Sequence, residues 1–234
     1  MEPAVQPGSS RMRDILELAC GYLLILAVLW TDDPWQRVFY WIALAVIAVL
    51  TLARRASLRA LGLTRAGVLR SLWIPALALG LALVAGVAAA YLHTLHRHIG
   101  HMLLDFRFAG YLLWAFVQQF LLQNYFLARL RRIVPARYAA APAVLAALLF
   151  ALAHLPNPLL TTLTLAWGWV SCILFLRYRN LYTLGLAHAI LGITIALTVP
   201  NHVHHHMRAG LGYLHYHPHR PAPHGHETAA RNQR

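Results

Sequence analysis

The chain has 234 residues, of which 59% are hydrophobic and only 12% are charged. No water-soluble core needs that much apolar surface, so the composition excludes the ordinary soluble class and predicts an integral membrane protein in contact with the lipid bilayer. A net charge of +13 would by itself suggest a nucleic-acid partner. However, the arginines of this chain flank apolar segments instead of forming one basic face, so we expect no nucleic-acid partner.

Seven apolar segments follow one another along the chain, and several approach the roughly 20 residues that a helix needs to cross a bilayer. They cover Ile15–Trp30, Val38–Leu52, Leu72–Leu92, Phe108–Leu127, Tyr138–His154, Leu159–Leu176 and Leu181–Val199. The segments are too long and alternate too poorly for barrel strands. We therefore predict an all-α fold, a polytopic transmembrane bundle of about seven helices. A basic cytoplasmic stub at residues 1–13 precedes this predicted domain at residues 14–200, and a His-rich, disordered tail at residues 201–234 follows it.

Arginine supplies all 20 basic residues, and three clusters of it lie between apolar segments. The clusters cover Arg54–Arg70, Arg129–Arg137 and Arg177–Arg179, and two apolar segments separate each from the next. Short basic loops tend to stay in the cytoplasm. The pattern predicts a cytoplasmic N-terminus and places the tail from Asn201 outside, in what we expect to be a bacterial inner or plasma membrane.

Few strongly polar residues lie deep inside the apolar segments, and five of them are candidates for a site. The fourth segment contains Gln118, Gln119 and Gln123, the fifth ends at His154, and the seventh contains His188. At 100° per residue the glutamines fall within an arc of about 140°, so they can line one side of a cavity. Polar groups in hydrocarbon are costly and generally face the bundle interior, where they are functional candidates. The structural alternative is that each one bonds a neighbouring helix.

Three short motifs carry these residues. The first motif is Gln118-Gln119-Phe120-Leu121-Leu122-Gln123-Asn124, followed by Arg129-Leu130-Arg131-Arg132; the second is Phe150 to His154, followed by Leu155-Pro156-Asn157-Pro158; the third is His188 to Gly192. By order, spacing and flanking sequence, residues 55–199 resemble the CAAX protease and bacteriocin-processing family, which includes the type II CAAX prenyl endopeptidases. Members with intact motifs have a Glu pair and an Arg where this chain has glutamines, and an Asn where it has Gly192.

The resemblance implies peptide-bond hydrolysis, in which a Glu activates water while His and Asn residues stabilise the oxyanion or hold a metal. The matching positions here are Gln118, Gln119, His154 and His188, and the matching pocket positions are Gln123, Phe150, Asn157 and Gly192. An amide has no useful basicity near neutral pH, so the two glutamines of the first motif cannot serve as a general base. We therefore expect that hydrolysis is weak or absent and that the neutralised cavity keeps its shape.

Two other functions stay open on the sequence. One is a non-catalytic protein that holds a peptide, a prenylated protein or a lipid in the neutral cavity, or that serves as a partner for another membrane protein. The other is a metal-responsive protein. A divalent metal such as zinc would use His154 and His188, although catalytic zinc sites usually supply three protein ligands.

Histidines outside the bundle are the second candidate for metal binding. They lie in the third-to-fourth connection (His93, His96, His98, His101) and in the tail (His202, His204, His205, His206, His215, His217, His219, His224, His226). By the predicted topology, the two groups share the outer side of the membrane. The alternative is a solvated tail that responds to pH.

Overall fold

The computed structural model describes residues 7–95 and 106–216. Within these ranges the chain is 78% helical and contains no strand, and each predicted apolar segment contains a helix. The helices are α1 (Pro7–Leu29), α2 (Trp35–Leu52), α3 (Val68–Ser71), α4 (Trp73–Tyr91), α5 (Phe106–Phe120), α6 (Ala128–Ile133), α7 (Ala141–Leu152), α8 (Pro158–Tyr178), α9 (Leu181–Thr198), α10 (Asn201–His204) and α11 (Leu211–Leu214). The predicted all-α membrane bundle is confirmed.

Four stretches in the described part of the chain are long and apolar enough to cross a membrane by length and composition. They are Trp35–Leu52, Val68–Tyr91, Pro158–Tyr178 and Leu181–Thr198. The second of these joins α3 and α4 across Leu72. The remaining predicted segments are helical too, but α1 carries buried carboxylates near its start and α7 is short.

The helix that carries the first motif is interrupted by a π-helical stretch. Residues Leu121–Leu127 connect α5 to α6 without a break, and we call the whole of residues 106–133 the signature helix. A π-helix has i→i+5 hydrogen bonds and occurs mostly as short stretches at functional sites. All but the first residue of this stretch are buried, so the signature helix is the central element of the bundle.

The other helices pack around the signature helix. Its first part contacts α9, its π-helical part contacts α7 and α8, and α6 contacts α1. Two glycines allow close approach at these interfaces: a Cβ on Gly185 would lie 2.5 Å from the Phe116 ring, and one on Gly21 would lie 2.5 Å from the Tyr125 ring. Side chains at positions 21 and 185 would therefore push their helices away from the signature helix.

The fifth predicted segment forms a shorter helix than its sequence suggests. Helix α7 has 12 residues, begins at Ala141 and not at Tyr138, and ends at Leu152. At 1.5 Å per residue it extends about 18 Å, whereas one helix over the whole predicted segment would extend about 25 Å. His154 instead lies in the turn after the helix.

A charged network connects α1 to the signature helix at the arginine-rich end of the bundle, where α2 and α8 end and α9 begins. The Glu17 carboxylate lies 2.9 Å from the guanidinium of Arg129 and 2.7 Å from that of Arg54. The Asp14 carboxylate pairs with Arg54 at 2.7 Å and with Arg132 at 2.8 Å. Both carboxylates are buried. The network therefore holds three helices together by ion pairs that the apolar pattern does not reveal.

Candidate functional site

One cavity of about 770 Å³ contains three of the four predicted catalytic positions. Gln118, His154 and His188 all line it, and so does Gly192. We call this the main cavity; it lies between α4, the signature helix, α8 and α9. Most of its other lining side chains are apolar, which is typical of ligand pockets with a few polar groups that fix orientation.

The fourth predicted position, Gln119, lies behind His188 and joins it to a chain of neutral hydrogen bonds. The Gln119 amide Nε2 lies 3.1 Å from Nδ1 of His188, and its Oε1 accepts from the Gln123 amide at 3.1 Å. The Gln123 amide also donates to the Ser171 hydroxyl at 3.2 Å. These side chains are buried, so the glutamines orient the imidazole without placing a negative charge beside it.

This hydrogen bond sets the tautomer of His188. A glutamine Nε2 is only a donor, so Nδ1 of His188 accepts and the ring proton resides on Nε2. His188 therefore presents a donor and not a base at its other nitrogen.

His154 is held by the second motif itself. Its Nδ1 lies 2.8 Å from the Phe150 carbonyl oxygen, one helical turn earlier, so this nitrogen donates and Nε2 keeps its lone pair. The Phe150 ring stands edge-on to both imidazoles, with centroid distances of 4.9 Å to His154 and 6.0 Å to His188. Phe150 thus spaces the two histidines, which explains why a phenylalanine four residues before His154 fits this site.

Tyr111 occupies the space that a side chain at position 192 would need. A Cβ on Gly192 would overlap the Tyr111 hydroxyl oxygen and lie 2.6 Å from Cζ. Tyr111 also lines the main cavity, beside Gly192, which lies one helical turn after His188 on α9. The asparagine that the family carries here does not fit beside Tyr111, and a phenol hydroxyl takes its place.

Asn157 does not line the main cavity; it anchors residues 204–208, which follow α9. Its Oδ1 accepts from the backbone N–H of Leu160 and caps α8, and its Nδ2 donates to the carbonyls of His204 and Arg208. The segment that it holds carries Met207 into the main cavity. Asn157 is therefore a positioning residue for residues 204–208.

A smaller cavity of about 250 Å³ adjoins the main one between α1, α2 and α7. The two share Trp114, Gln118, His154 and Met207 as lining residues. Gln118 and His154 therefore stand on the wall between two apolar spaces.

The predicted metal pair, His154 and His188, lies in the main cavity without a third ligand among the described residues. Among residues 7–95 and 106–216, no group of three His, Cys, Asp or Glu residues has a metal-binding arrangement. Both ring nitrogens of the buried His204 are engaged, with the Val199 carbonyl and the Met207 N–H. His205 stacks on Tyr213 at 4.1 Å.

Four of the other predicted outer histidines lie within the described residues. His202 and His206 lie on the exposed face of the same segment, and His215 pairs with Asp32 at 3.5 Å. His93 lies two residues after the end of α4, in a left-handed conformation at φ 56°. The remaining outer histidines lie outside the described residues: His96, His98, His101, His217, His219, His224 and His226.

A protein-family model matches the part of the chain that carries the three motifs. Residues 101–194 match the family model described as type II CAAX prenyl endopeptidase Rce1-like. The family resemblance is confirmed. The matched region covers less than half of the chain but contains all three motifs, from Gln118 to Gly192. No curated protein and no solved structure matches the chain.

The sequence pattern did not indicate two polar groups of this site. Tyr111 and Trp167 both line the main cavity, and the buried Nε1 of Trp167 has no hydrogen-bond partner among the described residues. Aromatic residues are common in membrane helices, so neither stands out by composition. The glycine at position 192 was the available signal for Tyr111, because a lost side chain leaves space for a neighbour.

Proposed function

We propose that this integral membrane protein is a substrate-binding relative of the CAAX endopeptidases in which peptide hydrolysis is weak or lost. The observation that carries the proposal is the neutral chain from His188 through Gln119 to Gln123. No Asp or Glu lines the main cavity as far as the structure describes the chain. Activation of water requires a group that accepts its proton, and a neutral amide cannot.

One basic atom remains in the cavity, and it has no acidic partner. His154 Nε2 keeps its lone pair, but the ring is oriented by the Phe150 carbonyl and not by a carboxylate. A carboxylate partner would stabilise the imidazolium that forms when the ring takes a proton. Without it, proton abstraction by His154 is unfavourable, which is why we infer weak activity even though both histidines are retained.

The same cavity is well suited to holding a carbonyl group on an apolar chain. Side chains that line the cavity and can donate to a carbonyl oxygen include the Gln118 amide, the Tyr111 hydroxyl and the His188 Nε2–H. The outer edge of the cavity includes Leu81 and Val84, which are 52% and 68% exposed, so the cavity opens at the apolar surface of the bundle. A lipid-modified peptide could enter there directly from the bilayer.

The test is capture of a photoreactive prenylated peptide by the purified protein in lipid nanodiscs. Gln118→Leu keeps the side-chain size but removes the cavity amide, and we expect it to reduce crosslinking while thermal unfolding is unchanged. Gln36→Leu is the matched control, because Gln36 is a glutamine on α2 that lines neither the main cavity nor the smaller one. We expect Gln119→Leu to reduce capture as well. Capture that is the same in Gln118→Leu and in wild type would contradict the proposal.

We also infer that the arginine-rich end faces the cytoplasm of a plasma membrane and that the end carrying Met207 faces outward. This orientation is supported by the gathering of all three arginine clusters at one end of the bundle, where Arg54, Arg129 and Arg179 line one cavity. Labelling of Tyr216→Cys in a variant that lacks Cys20 and Cys172, measured in intact cells with a membrane-impermeant reagent, checks this orientation. Labelling only after permeabilisation would reverse the orientation.

A further inference from the structure

A polar cavity lies at the arginine-rich end of the bundle and shares no lining residue with the main cavity, although Gln123, which bonds Gln119, lines it. It measures about 350 Å³ and lies between the ends of α2 and α8 and the second half of the signature helix. Five arginines line it: Arg54, Arg129, Arg131, Arg132 and Arg179. Leu127, Phe175 and Leu176 give it an apolar side. We call it the arginine cavity.

The carboxylates of the protein neutralise only part of this charge. Asp14 and Glu17 pair with Arg54, Arg129 and Arg132. They lie behind the cavity and do not line it. In residues 7–95 and 106–216, Arg131 and Arg179 form no ion pair. The arginine cavity therefore carries a surplus of positive charge.

Two further features show that the surplus is not relieved within the described protein. The Nε donor of Arg54 is buried and has no hydrogen-bond partner in the described part of the chain. Burial and the neighbouring charge of Arg131 lower the pKa of Arg179. A buried donor without a partner costs free energy, and like charges in a shared cavity repel each other. The repulsion between Arg131 and Arg179 falls when an anion enters the cavity that both line.

We propose that the arginine cavity binds the phosphate of an anionic phospholipid headgroup. Guanidinium groups bind phosphate oxygens through paired N–H donors, and basic pockets between membrane helices accept anionic lipid headgroups. The apolar side formed by Phe175 and Leu176 suits the adjoining glycerol and first acyl carbons. Free phosphate shares the recognition chemistry but has no group for this apolar side.

The experiment measures lipid binding to the detergent-solubilised protein by native mass spectrometry, with phosphatidylglycerol and phosphatidylcholine at equal concentrations. The double variant Arg131→Gln/Arg179→Gln removes the two arginines without ion pairs. Loss of each charge-assisted contact weakens binding by roughly ten-fold. We therefore expect wild type to prefer phosphatidylglycerol and the double variant to lose that preference. Arg70→Gln is the control, since Arg70 is exposed at the same end and does not line the cavity.

Two further measurements distinguish a lipid phosphate from free phosphate and test whether the double variant is folded. Thermal unfolding in phosphatidylcholine should differ little between wild type and the double variant. Neither arginine forms an ion pair in the described structure, and Arg179 makes one long, exposed hydrogen bond, to the Ala60 carbonyl at 3.4 Å. Inorganic phosphate at the lipid concentration should leave phosphatidylglycerol bound. Displacement by inorganic phosphate would overturn the lipid assignment. A folded double variant that still prefers phosphatidylglycerol would overturn the site.

Discussion

Glu17 is the carboxylate on which the buried end of the signature helix depends. It accepts from Arg129 Nε at 3.0 Å and from Arg54 Nη2 at 2.7 Å. The Arg129 side chain is 1% exposed and that of Glu17 is 8% exposed. The Tyr125 hydroxyl also donates to the Glu17 backbone carbonyl, which fixes α1 against the π-helical stretch.

Replacing Glu17 by Gln keeps the shape and removes the charge that compensates Arg129. Loss of one partner from a buried ion pair costs about 3–5 kcal/mol, because the other charge stays in a poorly solvated place. The exposed pair between Asp33 and Arg37 is the matched control, with side chains 56% and 79% exposed at 3.1 Å. For Asp33→Asn we expect a loss of about 0–1 kcal/mol.

The free energy of unfolding can be measured by titrating the protein from a mild detergent into dodecyl sulphate and following tryptophan fluorescence. Adding Arg129→Gln to Glu17→Gln should recover much of the loss, since a buried pair replaced as a unit leaves no uncompensated charge. If Glu17→Gln costs no more than Asp33→Asn, the charged network does not stabilise the bundle and the reasoning fails.

Three further predictions concern the site and its supports. Gly192→Asn should lower the free energy of unfolding by about 1–3 kcal/mol, because the new side chain is overpacked against Tyr111. Tyr111→Ala in the same chain should relieve much of that cost in a double-mutant cycle of thermal unfolding. Additive effects of the two substitutions would contradict the contact. Gln119→Leu should lower stability by about 1–3 kcal/mol, because His188 Nδ1 loses its donor, whereas the already unbonded Gln118→Leu should not. Asn157→Ala removes a helix cap worth about 0.5–2 kcal/mol and should make residues 204–216 sensitive to limited proteolysis; unchanged cleavage would show that other contacts hold the segment.

The sequence predicted the apolar segments and the gathering of Gln118, His154 and His188, because both depend on local features. Hydropathy marks each segment, and a polar group in hydrocarbon turns inward wherever it lies on its helix. Asn124 also faces away from the main cavity, as its angle on the helix predicts, and donates to the Leu61 carbonyl.

The fifth helix is shorter than the predicted segment Tyr138–His154, and the structure shows why. A short 3-10 turn occupies Ala136–Tyr138, and α7 starts only at Ala141. The apolar residues before the helix look like part of it, since hydropathy reports burial in lipid and not backbone conformation. A helix start was signalled by Pro142 in its first turn.

The π-helical stretch and the charged network could not be predicted from the chain in the same way. A single-sequence pattern does not distinguish i→i+5 from i→i+4 hydrogen bonds, so the arc assigned to Gln123 assumed a regular helix. Asp14 and Glu17 lie three residues apart at the start of an apolar segment, where they read as the polar boundary of a membrane helix. Their role depends on Arg129, more than 100 residues away, which only tertiary packing brings near.

The rate of peptide hydrolysis by the purified protein in lipid nanodiscs tests the central claim most directly. The claim is that a site with two histidines and no carboxylate binds a substrate without cleaving it. We predict that wild type releases product no faster than His154→Ala or His188→Ala on prenylated peptides. Robust cleavage that either alanine variant abolishes would show that the glutamines have not disabled the site.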